Sequence, residues 1–141
     1  MFRVVDPNVI ISAVMTRGNS SMVFSLNYIK NKFEFISPLF TYVELGKHSE
    51  KIARKTHIPL NEVKGALNFV MKQITFIGEE EYQDKLNEAR QILKGHEKDV
   101  PYLALAIKLN CKIFSGDKIL KQYCKEKIIT PKEVLEEFDY L

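Results

Sequence analysis

The stretch from residue 97 to residue 118 constrains the fold most, because its pattern predicts one helix followed at once by one strand. Pro101 marks the beginning of the helix, since proline is well tolerated only in the first turn. Asp99 stands just before it and is a natural N-cap, whose carboxylate would accept hydrogen bonds from the free N–H groups. Apolar side chains at helical spacing over residues 103–107 predict a buried face.

The second half of this stretch has the pattern of a buried strand. Asn110 suits the left-handed residue that ends a helix, and residues 111–114 form a short strand pattern. The turn that follows ends at Asp117. A helix leading into a strand is half of an α/β crossover unit, which places Asp99 and Asp117 at element ends, where side chains can converge on a cleft.

A third acid stands near the beginning of the chain. Residues 1–5 form a β-branched run that predicts a strand, Asp6 ends it, and an apolar helix follows over residues 9–14. Ligands of open parallel sheets bind beyond the carboxyl ends of the strands. Asp6 and Asp117 should both lie there, and Asp99 joins them if its helix begins at the same edge.

A fourth carboxylate lies on a helix predicted over residues 39–55. Phe40, Val43, Glu44 and Lys47 are spaced so that they share one helical face. Two interpretations follow for Glu44. It is either a carboxylate at the rim of the core, paired with a lysine one turn along the helix, or a further acid directed into the cleft.

The remaining chain continues the alternation of strands and helices. Further strands are predicted at residues 33–37, 74–77 and 128–129. Further helices are predicted from a cap at Ser20 or Ser21 to about Lys30, at residues 60–72 and 79–94, through Leu120 and Tyr123, and from a cap at Thr130–Glu133 as far as Phe138. Ser37 is expected to cap the helix that begins at Pro38. Short strands alternating with helices predict a three-layer α/β/α sandwich with a short, mainly parallel central sheet. At 141 residues we expect a single domain over residues 1–141.

Composition excludes several classes of protein. The chain is 45% hydrophobic and 28% charged, with 6 Gly and 5 Pro, as an ordinary globular protein is. No apolar run approaches a membrane span and no signal peptide is apparent, so we expect a cytoplasmic protein without a membrane partner. Cys111 and Cys124 lack metal-ligand spacing, and we expect no disulfide between them.

The charge balance fits a polyanionic substrate. The chain has 21 Lys and Arg against 18 Asp and Glu, a net charge of +3. If the four acids above are set aside in a metal site, 14 acids remain against 21 basic residues, or +7. A basic surface around a metal-filled pocket suits nucleic acid, although many proteins of this charge bind none.

Each acid alone has a structural explanation, and their joint placement is what indicates chemistry. Carboxylates crowded together repel one another unless a cation neutralises them. Hard oxygen ligands favour Mg²⁺ or Mn²⁺ over zinc, and His48, His57 and His96 are expected to face solvent. Such an ion lowers the pKa of water and stabilises charge on a scissile phosphate. Phosphodiester hydrolysis is therefore the predicted reaction.

Other scaffolds of this class fit the sequence less well. A haloacid-dehalogenase phosphatase would have a second acid at the position of Asn8, and a phosphorelay receiver would have an acidic pair before its phosphoacceptor. No Gly-rich phosphate loop is present. The helices around residues 57–59 faintly suggest a helix–turn–helix without a convincing recognition surface. A metal-dependent phosphatase for small substrates stays open.

Four sequence blocks resemble the signature blocks of the PIN domain, in order and in spacing. They are Val4–Val9, Tyr42–Leu45, Lys98–Asp99 with the helix that follows, and Phe114–Lys118. The resemblance covers nearly the whole chain. It implies a metal-dependent ribonuclease, often the VapC-like toxin of a toxin–antitoxin pair. It also implies single-stranded or structured RNA as the substrate, frequent homodimers, and inhibition by a small antitoxin protein that occupies the cleft.

The resemblance also assigns roles to residues. Asp6, Glu44, Asp99 and Asp117 would be the catalytic, metal-binding acids. Supporting positions are Asn8, a small polar residue near the first acid, and Ser115, which matches the usual Ser or Thr before Gly-Asp and would orient Asp117 or a water.

The sequence also departs from the family pattern. Pro7 replaces a more usual Thr or Ser, and the acid sometimes found beyond the last Asp is missing, which leaves one or two metal ions open. Lys118 and Lys121 are candidates for contacting phosphate, or are solvated lysines. The leading hypothesis is a Mg²⁺- or Mn²⁺-dependent endoribonuclease, and the alternative is a non-catalytic RNA-binding or scaffold PIN domain.

Overall fold

One parallel sheet organises the protein, and a computed structural model describes it over residues 1–139. Its strands are β1 (Phe2–Val5), β2 (Glu34–Pro38), β3 (Ile74–Ile77), β4 (Lys112–Phe114) and β5 (Ile128–Ile129). They pair in the order β3-β2-β1-β4-β5, and each neighbouring pair is parallel. The sheet described here is thus wholly parallel, where the sequence predicts a mainly parallel one.

Helices connect the strands and cover both faces of the sheet. They are α1 (Pro7–Met15), α2 (Asn19–Lys30), α3 (Leu39–Thr56), α4 (Leu60–Met71), α5 (Leu86–Ile92), α6 (Val100–Leu109), α7 (Lys118–Tyr123) and α8 (Pro131–Asp139). Short 3₁₀ turns lie at Glu79–Glu81, Gln83–Lys85, Glu97–Asp99 and Lys125–Lys127. Within residues 1–139, no helix is long and apolar enough to cross a membrane.

The sheet separates two hydrophobic cores, because successive side chains of a strand point to opposite faces. Val5 and Phe114 pack into the core under α1–α4 and α8, together with Phe24 and Phe35. Their neighbours in the two central strands, Val4 and Ile113, pack into the core under α5–α7, together with Leu103, Leu105 and Leu120. This is the predicted three-layer α/β/α sandwich.

The strand order creates a crevice beside β1. The chain runs from β1 outward to β2 and β3, and then returns to add β4 and β5 on the other side of β1. The connections that leave β1 and β4 therefore diverge at the carboxyl ends of these strands, where open α/β sheets bind ligands. Pairing continues to the edge of this crevice, since the Asp6 N–H donates to the Phe114 carbonyl at 3.1 Å.

Several local predictions are confirmed by the backbone and its caps. Asn110 ends α6 in the left-handed region, at φ 49°. Thr130 and Glu133 form a reciprocal capping box at the beginning of α8, with N–H to side-chain distances of 3.1 and 3.2 Å. Cys111 and Cys124 are both free thiols, and burial raises the pKa of each.

The predicted cap of α3 is wrong. Pro38 belongs to the end of β2 and precedes the helix without a side-chain capping bond. The Ser37 hydroxyl is fully buried and donates instead to the Val5 carbonyl at 3.0 Å. The long strand pairing of β2 therefore determines where α3 begins, and the serine links β2 to β1.

The buried face of α3 is not the face that Phe40, Val43 and Glu44 share. Thr41, Leu45 and Ile52 are buried, whereas Phe40 is 44% and Val43 is 54% exposed. Thr41 can be buried because its hydroxyl shares a 2.7 Å hydrogen bond with the Tyr102 hydroxyl. The apolar stripe read from the sequence is thus displaced by about one residue from the stripe that packs.

The single helix predicted over residues 79–94 is broken. Two 3₁₀ turns precede α5, and the backbone leaves helical geometry at Tyr82, with φ −122° and ψ 7°. This break lets the Tyr82 ring reach the core under α6, where it is 2% exposed. Burial of one aromatic side chain outweighs the helical propensity of the charged residues around it.

Candidate active site

Three of the four predicted acids stand where the central strands and a neighbouring helix end. Asp6 directly follows β1 and caps α1, and Asp117 lies beyond β4 and caps α7. Asp99 directly precedes α6, which runs back toward the beginning of β4. All three therefore lie at the carboxyl edge of the sheet, at the crevice between β1 and β4.

Asp6 is the most deeply buried acid of this group, at 4% exposure. Its Oδ1 accepts from the Asn8 N–H at 3.0 Å, and its Oδ2 accepts from the Ser115 hydroxyl at 2.6 Å. Burial raises the pKa of Asp6, and the nearby Asp117 charge raises it further, while the two hydrogen bonds and Lys98 oppose the rise. Each oxygen keeps a lone pair for a further ligand.

Ser115 connects the two strand-end acids. Its hydroxyl is fully buried, donates to Asp6, and accepts from the Asp117 N–H at 2.9 Å. The serine therefore contacts the Asp6 carboxylate as well as the backbone of Asp117, the residue that the resemblance implied it would orient. This hydroxyl fixes the two acids relative to each other across the junction of β1 and β4.

Asp117 is anchored by the helix that it begins. Its Oδ1 accepts from the Ile119 N–H at 2.8 Å and from the Leu120 N–H at 3.1 Å. Among residues 1–139, its Oδ2 has no hydrogen-bond donor. One oxygen thus stabilises α7 and the other remains available.

Asp99 does not have the capping role predicted for it. Its side chain makes no capping hydrogen bond, because the Val100 N–H already donates to the Glu97 carbonyl in a 3₁₀ turn and Pro101 has no N–H. The side chain is nevertheless 9% exposed. Burial, followed by the charges of Asp117 and Asp6, raises the pKa of Asp99 to about 6.

Glu44 reaches the same cleft from α3. Asp6, Glu44 and Asp99 line one cleft of about 300 Å³, and Asn8 also lines it. Asp117 lines an adjoining pocket of about 220 Å³, which shares Asn8 with the first. Within residues 1–139 no lysine forms an ion pair with Glu44. Among the two interpretations of Glu44, the structure therefore places this carboxylate at the cleft.

Two cleft residues were missed at the sequence level. His48 is half-buried and lines the cleft one helical turn after Glu44, although it was expected to face solvent. The spacing of four residues from Glu44 is the signal that could have found it. Lys98 also lines the cleft, and its charge lowers the pKa of both Asp6 and Asp99. His57 and His96 are exposed, as predicted.

The donor chemistry of this cleft fits a hard divalent cation. Asp6 and Asp99 are buried, and each is held in the negative field of other carboxylates, which a cation would relieve. Oxygen donors without cysteine suit Mg²⁺ and Mn²⁺. No three His, Cys, Asp or Glu side chains of residues 1–139 are already grouped as a ready-made metal site.

The lysines considered for phosphate contact lie on α7. Lys118 and Lys121 are exposed, are one turn apart on the same helical face, and form no ion pair with another side chain in the described part of the chain. They line neither of the two pockets. They are therefore free to meet a ligand that extends beyond the acids along α7.

Comparison with known families identifies the class of this protein. A family model described as PIN domain matches residues 4–137. The chain belongs to the PIN domain family, whose fold is generally that of nucleases. A comparison with curated proteins finds no match.

Proposed function

We propose that this protein is a Mg²⁺- or Mn²⁺-dependent endoribonuclease that hydrolyses phosphodiester bonds of RNA. One observation carries the proposal. The buried Asp99 carboxyl has no capping bond and lies in the field of Asp6 and Asp117, in a cleft that also contains Glu44. Carboxylates that repel one another do not stabilise the fold. A role in binding a cation and a phosphodiester substrate explains why they are held together.

The four acids would hold the metal in this proposal. Asp6 and Asp117 are positioned by Ser115 and by the N–H groups of α7, and Glu44 and Asp99 complete the set from two helices. The side chains would have to move closer together around a bound ion. A divalent cation supplies activation of water and neutralisation of charge on the phosphate.

The residues of the chain have separate tasks in the proposed reaction. Water attacks phosphorus in line, the bond to the 3′ oxygen breaks, and the products carry a 5′-phosphate and a 3′-hydroxyl. Ser115 keeps the Asp6 carboxylate in place through its 2.6 Å hydrogen bond. Lys98 contributes a positive charge at the cleft. Glu44, one of the four proposed metal ligands, and His48 line the cleft from α3.

The finer biology is also proposed from the family. A toxin that is inhibited by an antitoxin protein and that acts as a homodimer fits a chain with exposed apolar side chains on α2 and α3. These include Tyr28, Ile29, Leu39, Tyr42 and Val43. Two free thiols suit a reducing compartment, and we place the protein in the cytoplasm. Residues 1–141 would act as a single nuclease domain.

A non-catalytic RNA-binding or scaffold PIN domain is the second candidate. The observation that favours it is the absence of a preassembled group of three potential ligands within residues 1–139. The two candidates differ in whether Mn²⁺ binds to the acids and whether RNA is cut.

Calorimetric titration with Mn²⁺ distinguishes them. Wild-type protein should bind Mn²⁺, and Asp6→Asn should not. The rate at which Asp6→Asn cleaves a mixed-sequence RNA oligonucleotide should fall at least about 100-fold, because loss of a metal ligand costs at least as much activity as loss of a residue that only hydrogen-bonds to a ligand. Asp84→Asn is the matched control, since Asp84 is an exposed partner of Lys108. Full activity of Asp6→Asn would disprove the site, and absent Mn²⁺ binding by folded wild-type protein would favour the second candidate.

A further inference from the structure

The cleft has a second wall that the acids do not explain. Besides the acids, it is lined by apolar and aromatic side chains of α1, α3 and α6, which are Ile11, Phe40, Leu45 and Tyr102. A metal site alone would need only oxygen donors and room for water. The apolar wall therefore suits a part of the substrate other than its phosphate.

Phe40 is the exposed member of this wall. Its side chain is 44% exposed, while Leu45 and Tyr102 on the same wall are buried. Its ring packs edge to face on Tyr102, with ring centroids 5.9 Å apart and planes at 73°. Tyr102 is in turn fixed by the 2.7 Å hydrogen bond between its hydroxyl and Thr41. The Phe40 ring is thus supported from one side and open on another.

An open aromatic ring beside a phosphodiester site matches the chemistry of a nucleobase. Bases stack on aromatic side chains whatever their sequence, because every base has a π-face. A base inside a duplex has both of its faces covered by neighbours, so this ring can accept only a base that is unpaired and unstacked. A cleft of about 300 Å³ is at the lower end of the size of small-ligand sites, which suits one nucleotide.

We infer that Phe40 is the stacking platform for one unpaired base of a single-stranded RNA. A base stacked on Phe40 would bring its neighbouring phosphate into the cleft that Lys98 and the acids also line. The inference rests on the proposed function for the identity of the ligand and adds two points to it. It selects single-stranded over duplex substrate, and it names the residue that makes the selection.

The chain offers a matched control on the same helix. Tyr42 is also an exposed aromatic residue of α3, at 55%, and it also packs edge to face on another ring, that of Phe76 at 5.4 Å. It does not line the cleft. Phe40 and Tyr42 are therefore similar in exposure and packing, and they differ in that only Phe40 lines the cleft.

The affinity experiment compares Phe40→Leu with Tyr42→Leu. Both variants keep the four acids, and Ca²⁺ replaces Mg²⁺ so that a labelled, mixed-sequence single-stranded oligoribonucleotide stays intact. Binding is followed by fluorescence anisotropy. Phe40→Leu should raise Kd about tenfold, the size of one base–aromatic stack. Tyr42→Leu should leave Kd within about twofold, and the weaker binding of the same RNA as a duplex should not respond to Phe40→Leu.

A spectroscopic experiment detects the stack directly. The chain has no tryptophan and 6 tyrosines, so Phe40→Trp and Tyr42→Trp each create a single tryptophan, which is excited selectively at wavelengths that tyrosine does not absorb. RNA should quench Phe40→Trp, with affinity retained because indole also stacks, and should leave Tyr42→Trp unchanged. Equal effects at residues 40 and 42, equal losses for single strands and duplexes, or no binding of the single strand would each overturn the inference.

The outcomes separate this inference from the proposed function. If wild-type protein cuts no RNA but Phe40-dependent quenching is observed, the stacking platform stands and the nuclease proposal fails. If wild-type protein cuts RNA and Phe40→Leu leaves both Kd and KM unchanged, the nuclease proposal stands and the stacking platform is wrong.

Discussion

At the scale of single residues, the acids of the cleft are held in different ways. Asp117 receives two N–H donors from α7, and Asp6 receives one N–H and the Ser115 hydroxyl. Asp99 is buried without a capping bond. The first two acids therefore contribute to the fold as well as to the cleft, whereas Asp99 contributes repulsion and desolvation to the folded protein.

This difference predicts that Asp99→Asn stabilises the metal-free protein. The folded pKa of Asp99 is about 6, above its ordinary value of 3.8, so the folded state binds the extra proton between these values. Stability must therefore fall as pH rises through this window, and the full penalty is present above pH 6. In EDTA, Asp99→Asn should raise Tm most above pH 7, and the gain should shrink as pH falls toward 4.

Thermal melts in EDTA from pH 4 to pH 8 measure this difference. Glu88→Gln is the control, since Glu88 is exposed on α5, and its Tm should follow the wild type at every pH. A lower Tm for Asp99→Asn at pH 7.5, or a gain that does not depend on pH, would contradict the assignment of Asp99 as a destabilising carboxylate.

The positions of Asp6 and Asp117 at the ends of strands could be predicted from the sequence, because the residues next to them indicate a turn. Pro7 follows Asp6 and Gly116 precedes Asp117, so the chain must turn at both places. The bond between Ser115 and Asp6 joins residues 109 positions apart, and it depends on β4 pairing with β1 rather than with another strand. A single sequence carries no signal for that pairing.

At the scale of elements, α3 brings both the acid Glu44 and the aromatic platform Phe40 to the cleft. Its orientation is determined by Thr41, Leu45 and Ile52, which are buried. The sequence pattern grouped Val43 with Phe40 and Glu44 on one face, because the pattern counts apolar residues and ignores the buried threonine hydroxyl. Helix propensity and periodicity predicted the helix itself but not its rotation about its own axis.

Two substitutions test this rotation. Leu45→Ala should lower the free energy of unfolding by about 2–5 kcal/mol, because it leaves a cavity at a fully buried position. Val43→Ala should change it by less than about 0.5 kcal/mol, because Val43 is 54% exposed. Urea unfolding of the metal-free protein measures both. Equal losses, or a larger loss at Val43, would show that α3 packs on the face that the sequence pattern favoured.

At the scale of the whole molecule, the order of the strands determines where chemistry can occur. Alternating strands and helices with short connections predict a parallel α/β sandwich, and this much followed from local patterns. The position of β1 between β2 and β4 is what brings Asp6 close to Asp117. Strand order arises from the packing of all the helices together, and no local segment encodes it.

The charge of the molecule leads to a further prediction on RNA affinity. Lys118 and Lys121 lie on the same face of α7, the helix that Asp117 caps. If each contacts one phosphate, replacing both by alanine should weaken binding of single-stranded RNA and reduce the slope of log Kd against log salt by about 1.4. Lys64→Ala on α4 with Lys72→Ala directly after this helix is the matched control, since these lysines are also exposed.

Anisotropy titrations at four salt concentrations provide these slopes. The control should lower affinity little and keep the wild-type slope. An unchanged slope for the α7 pair would identify Lys118 and Lys121 as solvated lysines and would leave Lys98, within the cleft, as the positive charge near the substrate.

The capping bonds of Asp117 affect which acids should be retained in relatives that have lost catalysis. A lineage that abandons catalysis is still penalised for losing Asp117, because α7 would lose the acceptor of two N–H groups. The same lineage gains from losing Asp99. Drift should therefore erase Asp99 early and preserve Asp117 long after activity has gone. Among descendants of such an ancestor, an intact Asp99 is the better sign that selection still maintains a working enzyme.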